Sequence, residues 1–370
     1  ASIEVWARER DIEKKLVFSG DIGNKHKPMI RNPQYIREAD YILMECTYGD
    51  RYHKKGGNHI QELADIIQAT LDKGGNVVIP AFAVGRTQEL LYFIRSIKEQ
   101  GLVTGHGHFD VYVDSPMAVE ATEVFKENGM DCYDEETKAL VRRGINPIGF
   151  PGLKLSITSE ESKNINFEAK PKVIISAAGM CDAGRIRHHL KHNLWRPEST
   201  IVFAGYQAEG TLGRALVEGR KSVKIFGETI DVEARIVNIN GLSGHADREG
   251  LLEWITAFEK KPDKVFMVHG EDTVCTNFAL TLTDELGIPA EAPFSGSVFD
   301  LAEGRWIRET AGIPVSKESA SKRKASGVYA RLVSAGERLI QVIRHNEGGA
   351  NKDLAKLADQ IHALCDKWDR

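Results

Sequence analysis

No run of apolar residues in this chain approaches the roughly 18 to 20 that a membrane helix needs, and its start shows none of the charged, apolar, small-residue order of a secretory signal. Membrane insertion and signal-directed export are therefore not expected. Cysteine is scarce: Cys46, Cys132, Cys181, Cys275 and Cys365 are the five in 370 residues. An odd number, scattered and without a C-x-x-C pair, suits neither a disulfide framework nor a cysteine zinc site, and it points to a reducing cytoplasm. A surplus of one charge is lacking too. The formal net charge of -4 gives no global attraction to nucleic acid, so any RNA contact must come from a local groove. Internal repeats and low-complexity tracts are absent. What remains, with 42% hydrophobic residues, is globular material for two cores and an appendage.

Two histidines stand where a histidine can do chemistry. Val237-Asn-Ile-Asn-Gly-Leu-Ser-Gly-His245-Ala-Asp247 reads as a strand that breaks at small residues and leaves His245 before an amphipathic helix. Lys264-Val-Phe-Met-Val-His269-Gly-Glu271 reads as a buried strand ending in His269. Two successive strands are thus expected to deliver an imidazole each to one sheet edge, the C-terminal edge at which α/β folds place their sites.

Acidic residues end two earlier strands. Ser2 to Trp6 and Lys15 to Ser19 suggest a strand pair running into Gly20-Asp21, and Ala39 to Glu45 a third strand. From Asn58 the pattern becomes one of alternation. Helical spacing at Ile60, Leu63, Ile66, Ile67 and Leu71 precedes a strand at Asn76–Pro80, a helix at Thr87–Ile97 and a strand at Phe109–Val113. Helices at Met117–Phe125 and Glu135–Val141 follow, then strands Leu153–Thr158 and Lys172–Ser176, a helix Gly184–Leu190 and a strand Thr200–Ala204. Such alternation argues for a parallel sheet covered on both faces. The chain is expected to leave one domain at about Gly49 and return at about Ile236. Its divisions are then 1–49, 50–235, 236–310, and a linker with a helical hairpin over 311–370 that docks on the body or on a second copy.

Alone, a strand-end Asp or Glu is usually a turn or cap residue, and a single His a hydrogen-bonded structural one. The joint placement of Asp21, Glu45, His245 and His269 argues otherwise, and eight segments match a family in order. Phe18-Ser-Gly-Asp-Ile-Gly23, Glu45-Cys-Thr-Tyr-Gly49, Pro80-Ala-Phe-Ala-Val-Gly-Arg-Thr-Gln-Glu89, Asp114-Ser-Pro-Met-Ala118 and Ser176-Ala-Ala-Gly-Met180 are the first five. Ala204-Gly-Tyr-Gln-Ala-Glu-Gly-Thr-Leu-Gly213, Ser243-Gly-His-Ala-Asp247 and Val268-His-Gly-Glu271 complete the set. Together they closely resemble the β-CASP metallo-β-lactamase-fold ribonucleases, among them ribonuclease J and the cleavage and polyadenylation endonuclease.

The resemblance implies an α/β fold: a partial metallo-β-lactamase αββα fold with an inserted β-CASP parallel-sheet domain and a C-terminal helical tail. It implies zinc, two ions in the complete site, with Asp21 as the bridging carboxylate and His269 as a ligand of the second ion. Zinc would generate the nucleophilic hydroxide, and His245, oriented by Glu45, would protonate the departing ribose oxygen. Ser243, two residues before His245, would face the same side and bind a phosphate oxygen, and Arg86 at a helix start is a further phosphate contact. The substrate implied is single-stranded RNA, and oligomers through the C-terminal helices are open.

The family's His-x-His-x-Asp-His segment has no counterpart before Asp21. Ala1, with a strand opening almost directly after it, is expected to lie inside a longer polypeptide, and these 370 residues alone are expected to hold little tight zinc and cleave negligibly. A non-catalytic RNA-binding or scaffold role is the competing expectation. His106-Gly-His108-Phe-Asp110 copies part of the metal motif, but Val111 stands where the last histidine belongs and the segment enters a strand instead of leaving one. His188, His189 and His192, beside Arg185 and Arg187, read as a solvated or RNA-facing surface.

Overall fold

A computed structural model of the chain describes residues 1–53, 57–239, 241–313 and 351–368, with scattered positions between 332 and 346. The chain forms two compact units, Ala1–Pro293 with Ser297–Glu309, and Phe294–Gly296 with Thr310–Arg370.

In the first unit, β1 (Ile3–Glu9) and β2 (Ile12–Phe18) form an antiparallel hairpin, and β3 (Tyr41–Glu45) runs parallel to β2. The chain then builds a second sheet from β4 (Val77–Pro80), β5 (Val111–Asp114), β6 (Leu153–Ser156), β7 (Val173–Ser176) and β8 (Thr200–Phe203). A hairpin of β9 (Ser222–Ile225) and β10 (Glu228–Asp231) leads into β11 (Arg235–Asn238). The first sheet is resumed by β12 (Lys264–Val268) and β13 (Ala290–Glu291), and β14 (Val298–Asp300) pairs with β15 (Arg305–Arg308). The two main sheets are ordered β1-β2-β3-β12-β13 and β11-β8-β4-β7-β5-β6.

All strands of the six-stranded sheet are parallel, as the alternation of strand and helix predicts. Their alternating side chains fill two cores. Val77, Ile79, Val111, Val113, Val173 and Ile175 face the helices His59–Leu71 and Arg86–Glu99, whereas Val78, Ile174, Ile201 and Phe203 face the helix Ile186–Asn193. Each such side chain, wholly removed from water, contributes about 1.5–3 kcal/mol. The five-stranded sheet packs Val17, Ile42, Met44, Val265 and Met267 on the helices Arg248–Thr256 and Asp272–Asp284 through Trp254 and Phe278. β1 is an edge strand with all seven residues exposed, an open edge of the kind that pairs readily with further chain.

The strand expected to carry His245 into the first sheet does not belong there. β11 pairs with β8, Arg235 to Thr200 through Asn238 to Phe203, so it closes the six-stranded sheet, and the change of sheet comes after Asn238 instead of before Ile236. The strand expected to reach Thr158 stops at Ser156, because Thr158 and Glu161 form a capping box that starts a helix over Ser159–Phe167. His189 is not on a solvated surface. Ile186, His189, Leu190 and Asn193 form the buried face of their helix, and His189 Nε2 meets Asp114 Oδ2 at 2.7 Å.

In the second unit, the helix Asn351–Trp368 shows the amphipathic spacing expected, with Leu354, Leu357 and Ile361 half-buried. The basic linker lies outside the described residues, as does most of the first tail helix. Among the described residues no helix is long and apolar enough to cross a membrane.

Candidate functional site

Adjacent parallel strands bring three of the expected residues to one edge. Val268 of β12 is level with Glu45 of β3, and Leu43 with Phe18 of β2, so the chain leaves all three strands at similar height. Glu45 ends β3, and Asp21 and His269 lie just beyond the ends of β2 and β12. His245 arrives from the other sheet on a connector laid antiparallel along residues 22–24. Gly23 bridges His245, Ala246 N–H donates to Ile22 O at 2.7 Å and Asn24 N–H to Gly244 O at 3.0 Å.

One ligand atom from each of Asp21, His245 and His269 lies within 4.8 Å of the others. The two imidazoles stack with centroids 5.5 Å apart and planes 17° from parallel. Asp21 Oδ2 is 3.8 Å from His245 Nε2. Behind them Glu45 is buried and fully engaged: Oε1 accepts from His245 Nδ1 at 2.9 Å and from Ile22 N–H at 2.8 Å, and Oε2 from Thr47 N–H at 3.0 Å. Burial opposes charge on this carboxylate, yet the hydrogen bond and charge of His245, with the hydrogen bonds of Thr47, hold its pKa below the ordinary value. The same hydrogen bond, against the opposing effect of burial, raises the pKa of His245.

The site opens into a cleft of about 1790 Å³. Its far wall is built from the turns after β4, β5, β7 and β8, including Phe82, Met117, Gly179 and Tyr206. Both sheets therefore present the C-terminal ends of parallel strands to one space, the position at which open α/β sheets bind ligands.

Sequence comparison agrees with this architecture. The Beta-Casp domain family matches residues 87–216, and the family described as a Zn-dependent metallo-hydrolase RNA specificity domain matches residues 229–293. A ribonuclease of Thermus thermophilus is 37% identical over 263 residues, which cover 70% of this chain and 58% of that protein. An RNase J-like protein of Methanocaldococcus jannaschii is 31% identical over 291 residues, 78% of this chain and 66% of the relative. The transcription termination factor FttA of the same organism is 33% identical over 276 residues, 72% of this chain and 43% of the relative. The chain belongs to the β-CASP metallo-β-lactamase family of RNA-processing nucleases. It spans between 43% and 66% of the length of these three β-CASP relatives.

A carboxylate oxygen and imidazole nitrogens are donors that zinc takes, and the gathered atoms of Asp21, His245 and His269 fit such an ion. Ser243 is buried on the cleft wall, where its Oγ accepts the His245 N–H at 3.2 Å. Arg86 also lines the cleft, but its Nη1 is ion-paired with Glu89 and its Nη2 donates to Leu242 O. Lys27 joins from the segment between β2 and β3, 3.3 Å from Glu89. Arg86 thus grips the connector that carries Ser243 and His245, instead of extending a free guanidinium as its position at a helix start suggests. His106 meets Asp72 Oδ1 at 2.8 Å on the surface. Among the described residues, neither it nor His108 joins a metal-ligand cluster.

Two residues escaped the sequence reading. Thr47 Oγ1 lies 3.2 Å from His245 Nδ1 and 3.1 Å from His269 Nδ1. The i, i+2 spacing that pairs Ser243 with His245 also pairs Glu45 with Thr47, so the signal was there. His53 holds the His245 backbone, with its Nε2 3.0 Å from His245 O and its N–H donating to Asp247 Oδ2 at 2.8 Å. Nothing in its local sequence marks it.

Proposed function

We propose that this chain carries the acid–base side, and part of the metal side, of a zinc-dependent ribonuclease that hydrolyses single-stranded RNA in the cytoplasm. The convergence of Asp21, His245 and His269, with Glu45 behind them, supports this reading most directly. Asp21 and His269 would hold zinc, two ions in the complete site. Zinc when bound supplies a Lewis acid and an activated water for attack on phosphorus.

The chain's own residues supply the rest. Glu45 accepts the His245 Nδ1 proton, which fixes the ring and turns Nε2 toward Asp21 and the cleft. With its pKa raised, His245 is suited to carry a proton at Nε2 and deliver it to the departing ribose oxygen. The Ser243 hydroxyl accepts one hydrogen bond from the chain and keeps its own proton for a phosphate oxygen. Arg86 acts by fixing Leu242, next to Ser243. The domain divisions proposed are those read from the sequence, with the return to the metallo-β-lactamase sheet moved beyond Asn238.

A second reading, a non-catalytic RNA-binding member, is favoured by one observation. Among the described residues three donors gather, fewer than two zinc ions require. Zinc analysis and a cleavage assay on single-stranded RNA separate the two. Stoichiometric zinc with cleavage abolished in His245→Ala supports the enzyme, whereas RNA binding without zinc or cleavage supports the binding module.

A further inference from the structure

The cleft has unlike walls. Asp21, His245 and His269 line one. The other exposes a row of apolar side chains: Phe82 is 54% exposed, Val84 62% and Met117 64%. The strand residues behind this wall, Val77, Ile79, Val173 and Ile175, are wholly buried; other apolar side chains, among them Val124, Ile157 and Phe167, are exposed outside the cleft, whereas these three gather on one wall of it. An exposed apolar patch inside a cleft marks a place that takes a ligand.

Phe82 is also held in place. Its carbonyl accepts from Thr87 Oγ1 at 2.8 Å and from Thr87 N–H at 3.3 Å, which pins the turn. Its ring edge rests on Gly179, where an added Cβ would stand 3.3 Å from both Cδ2 and Cε2. Glycine at 179 lets the ring lie close against the chain. The result is a supported aromatic surface that opens to the cleft.

Charge on the same walls does not provide the grip. Of the six lysines and arginines lining the cleft, Lys15, Lys27, Arg37, Arg51 and Arg86 are ion-paired, with Glu4, Glu89, Glu259, Asp50 and Glu89 in that order. A polyanion held through unpaired cations would need more of them. Stacking of bases on an aromatic ring needs none, and it tolerates any sequence because every base has a flat face.

We infer that Phe82, flanked by Val84 and Met117, is a stacking subsite for an unpaired nucleobase of the RNA whose backbone passes Asp21, His245 and His269. The inference rests on the single-stranded RNA reading above and adds the part of the substrate that is recognised. It accounts for strand state: bases stacked and paired within a duplex have no face to offer Phe82.

The test compares two ligands of equal backbone, a fluorescent oligouridylate decamer and a decamer of abasic ribose phosphates. Both are titrated against the full chain in chelator, by anisotropy, at low and moderate salt. The wild type is expected to prefer the base-bearing strand. Phe82→Ala should weaken oligouridylate binding about tenfold, the scale of losing one stacked base, and leave abasic binding unchanged. Phe82→Trp should preserve the preference, and Met117→Ser should reduce it by about threefold without removing the ring. If Phe82→Ala and Met117→Ser leave the preference intact, the subsite is wrong and the RNA reading survives. If the wild type binds neither decamer, the RNA reading fails and takes the subsite with it.

Discussion

Thr47 Oγ1 lies 3.1 Å from the Nδ1 of His269 and 3.2 Å from the His269 carbonyl. A hydroxyl has one proton and a carbonyl can only accept, so the Thr47 proton goes to that carbonyl and the oxygen accepts from the ring. His269 then carries hydrogen on Nδ1 and leaves Nε2 free as a donor to metal, the tautomer logic of outer-shell partners. His245 reaches the same tautomer through Glu45. In Thr47→Val, His269 is expected to lose the fixed tautomer while His245 keeps it, and in Thr47→Ser His269 should retain it. Long-range proton–nitrogen spectra of histidine-labelled protein report this directly. Unchanged His269 nitrogen shifts in Thr47→Val would show that the hydroxyl sets nothing.

His245 can be a proton donor or a metal ligand at Nε2, but not both at once. The donor role predicts that His245→Ala keeps zinc affinity within about threefold, while Asp21→Asn and His269→Ala each lower it by about tenfold or more. Competition with a chromophoric chelator distinguishes them. An equal loss in all three variants would assign His245 to the metal.

Strand ends were readable where an apolar run stops at a charged or imidazole residue, as at Glu45 and His269, because burial and polarity change abruptly there. The sheet that β11 joins was not readable. Its four residues, Arg235–Asn238, have the polar-flanked pattern of any edge strand, and the choice of partner is made by β8, some 35 residues earlier in the chain. His189 was misjudged from its basic neighbours, although its phase with Ile186, Leu190 and Asn193 already placed it on the buried face. Of the Arg86 contacts, that to Glu89 lies at i+3 and could have been guessed, whereas that to Leu242 joins segments far apart in sequence.

Asp114 anchors a buried polar network at the end of β5. Its carboxylate accepts from His189 Nε2 at 2.7 Å, Arg185 Nη1 at 2.7 Å and Ser162 Oγ at 2.6 Å. Burial pushes its pKa up, but these donors win and hold it at about 2. An Asp with a depressed folded-state pKa stabilises the fold above its unfolded value near 4, and that contribution disappears as pH falls through about 2. The shift corresponds to about 2 kcal/mol. Asp114→Asn, which leaves Arg185 without its buried counter-charge and His189 Nε2 without its carboxylate acceptor, should lose about 3–5 kcal/mol at pH 7. Urea unfolding at pH 7 and pH 3 measures both effects. The variant should show a shallower loss of stability between the two pH values than the wild type, and parallel losses would remove Asp114 as the cause.

Gly270 sets how closely the His269 turn can approach β3. A Cβ there would stand 2.5 Å from the Cys46 carbonyl oxygen and 2.8 Å from Cys275 Sγ. The first of these is backbone, which cannot rotate away, so the turn itself must move. His269 already sits in the left-handed region at φ 52°, held by Thr47 and by the bond from Cys46 N–H to its carbonyl at 3.4 Å. Gly270→Ala is expected to cost about 1–3 kcal/mol of stability and to disturb His269 in the histidine spectra as Thr47→Val does. Gly244→Ala is the matched control, since nothing lies within 4 Å of a Cβ built there, and it should stay within about 0.5 kcal/mol of wild type. Thermal melts of the pair decide the matter: equal melting temperatures would mean that the approach of the two strand ends is not what positions His269.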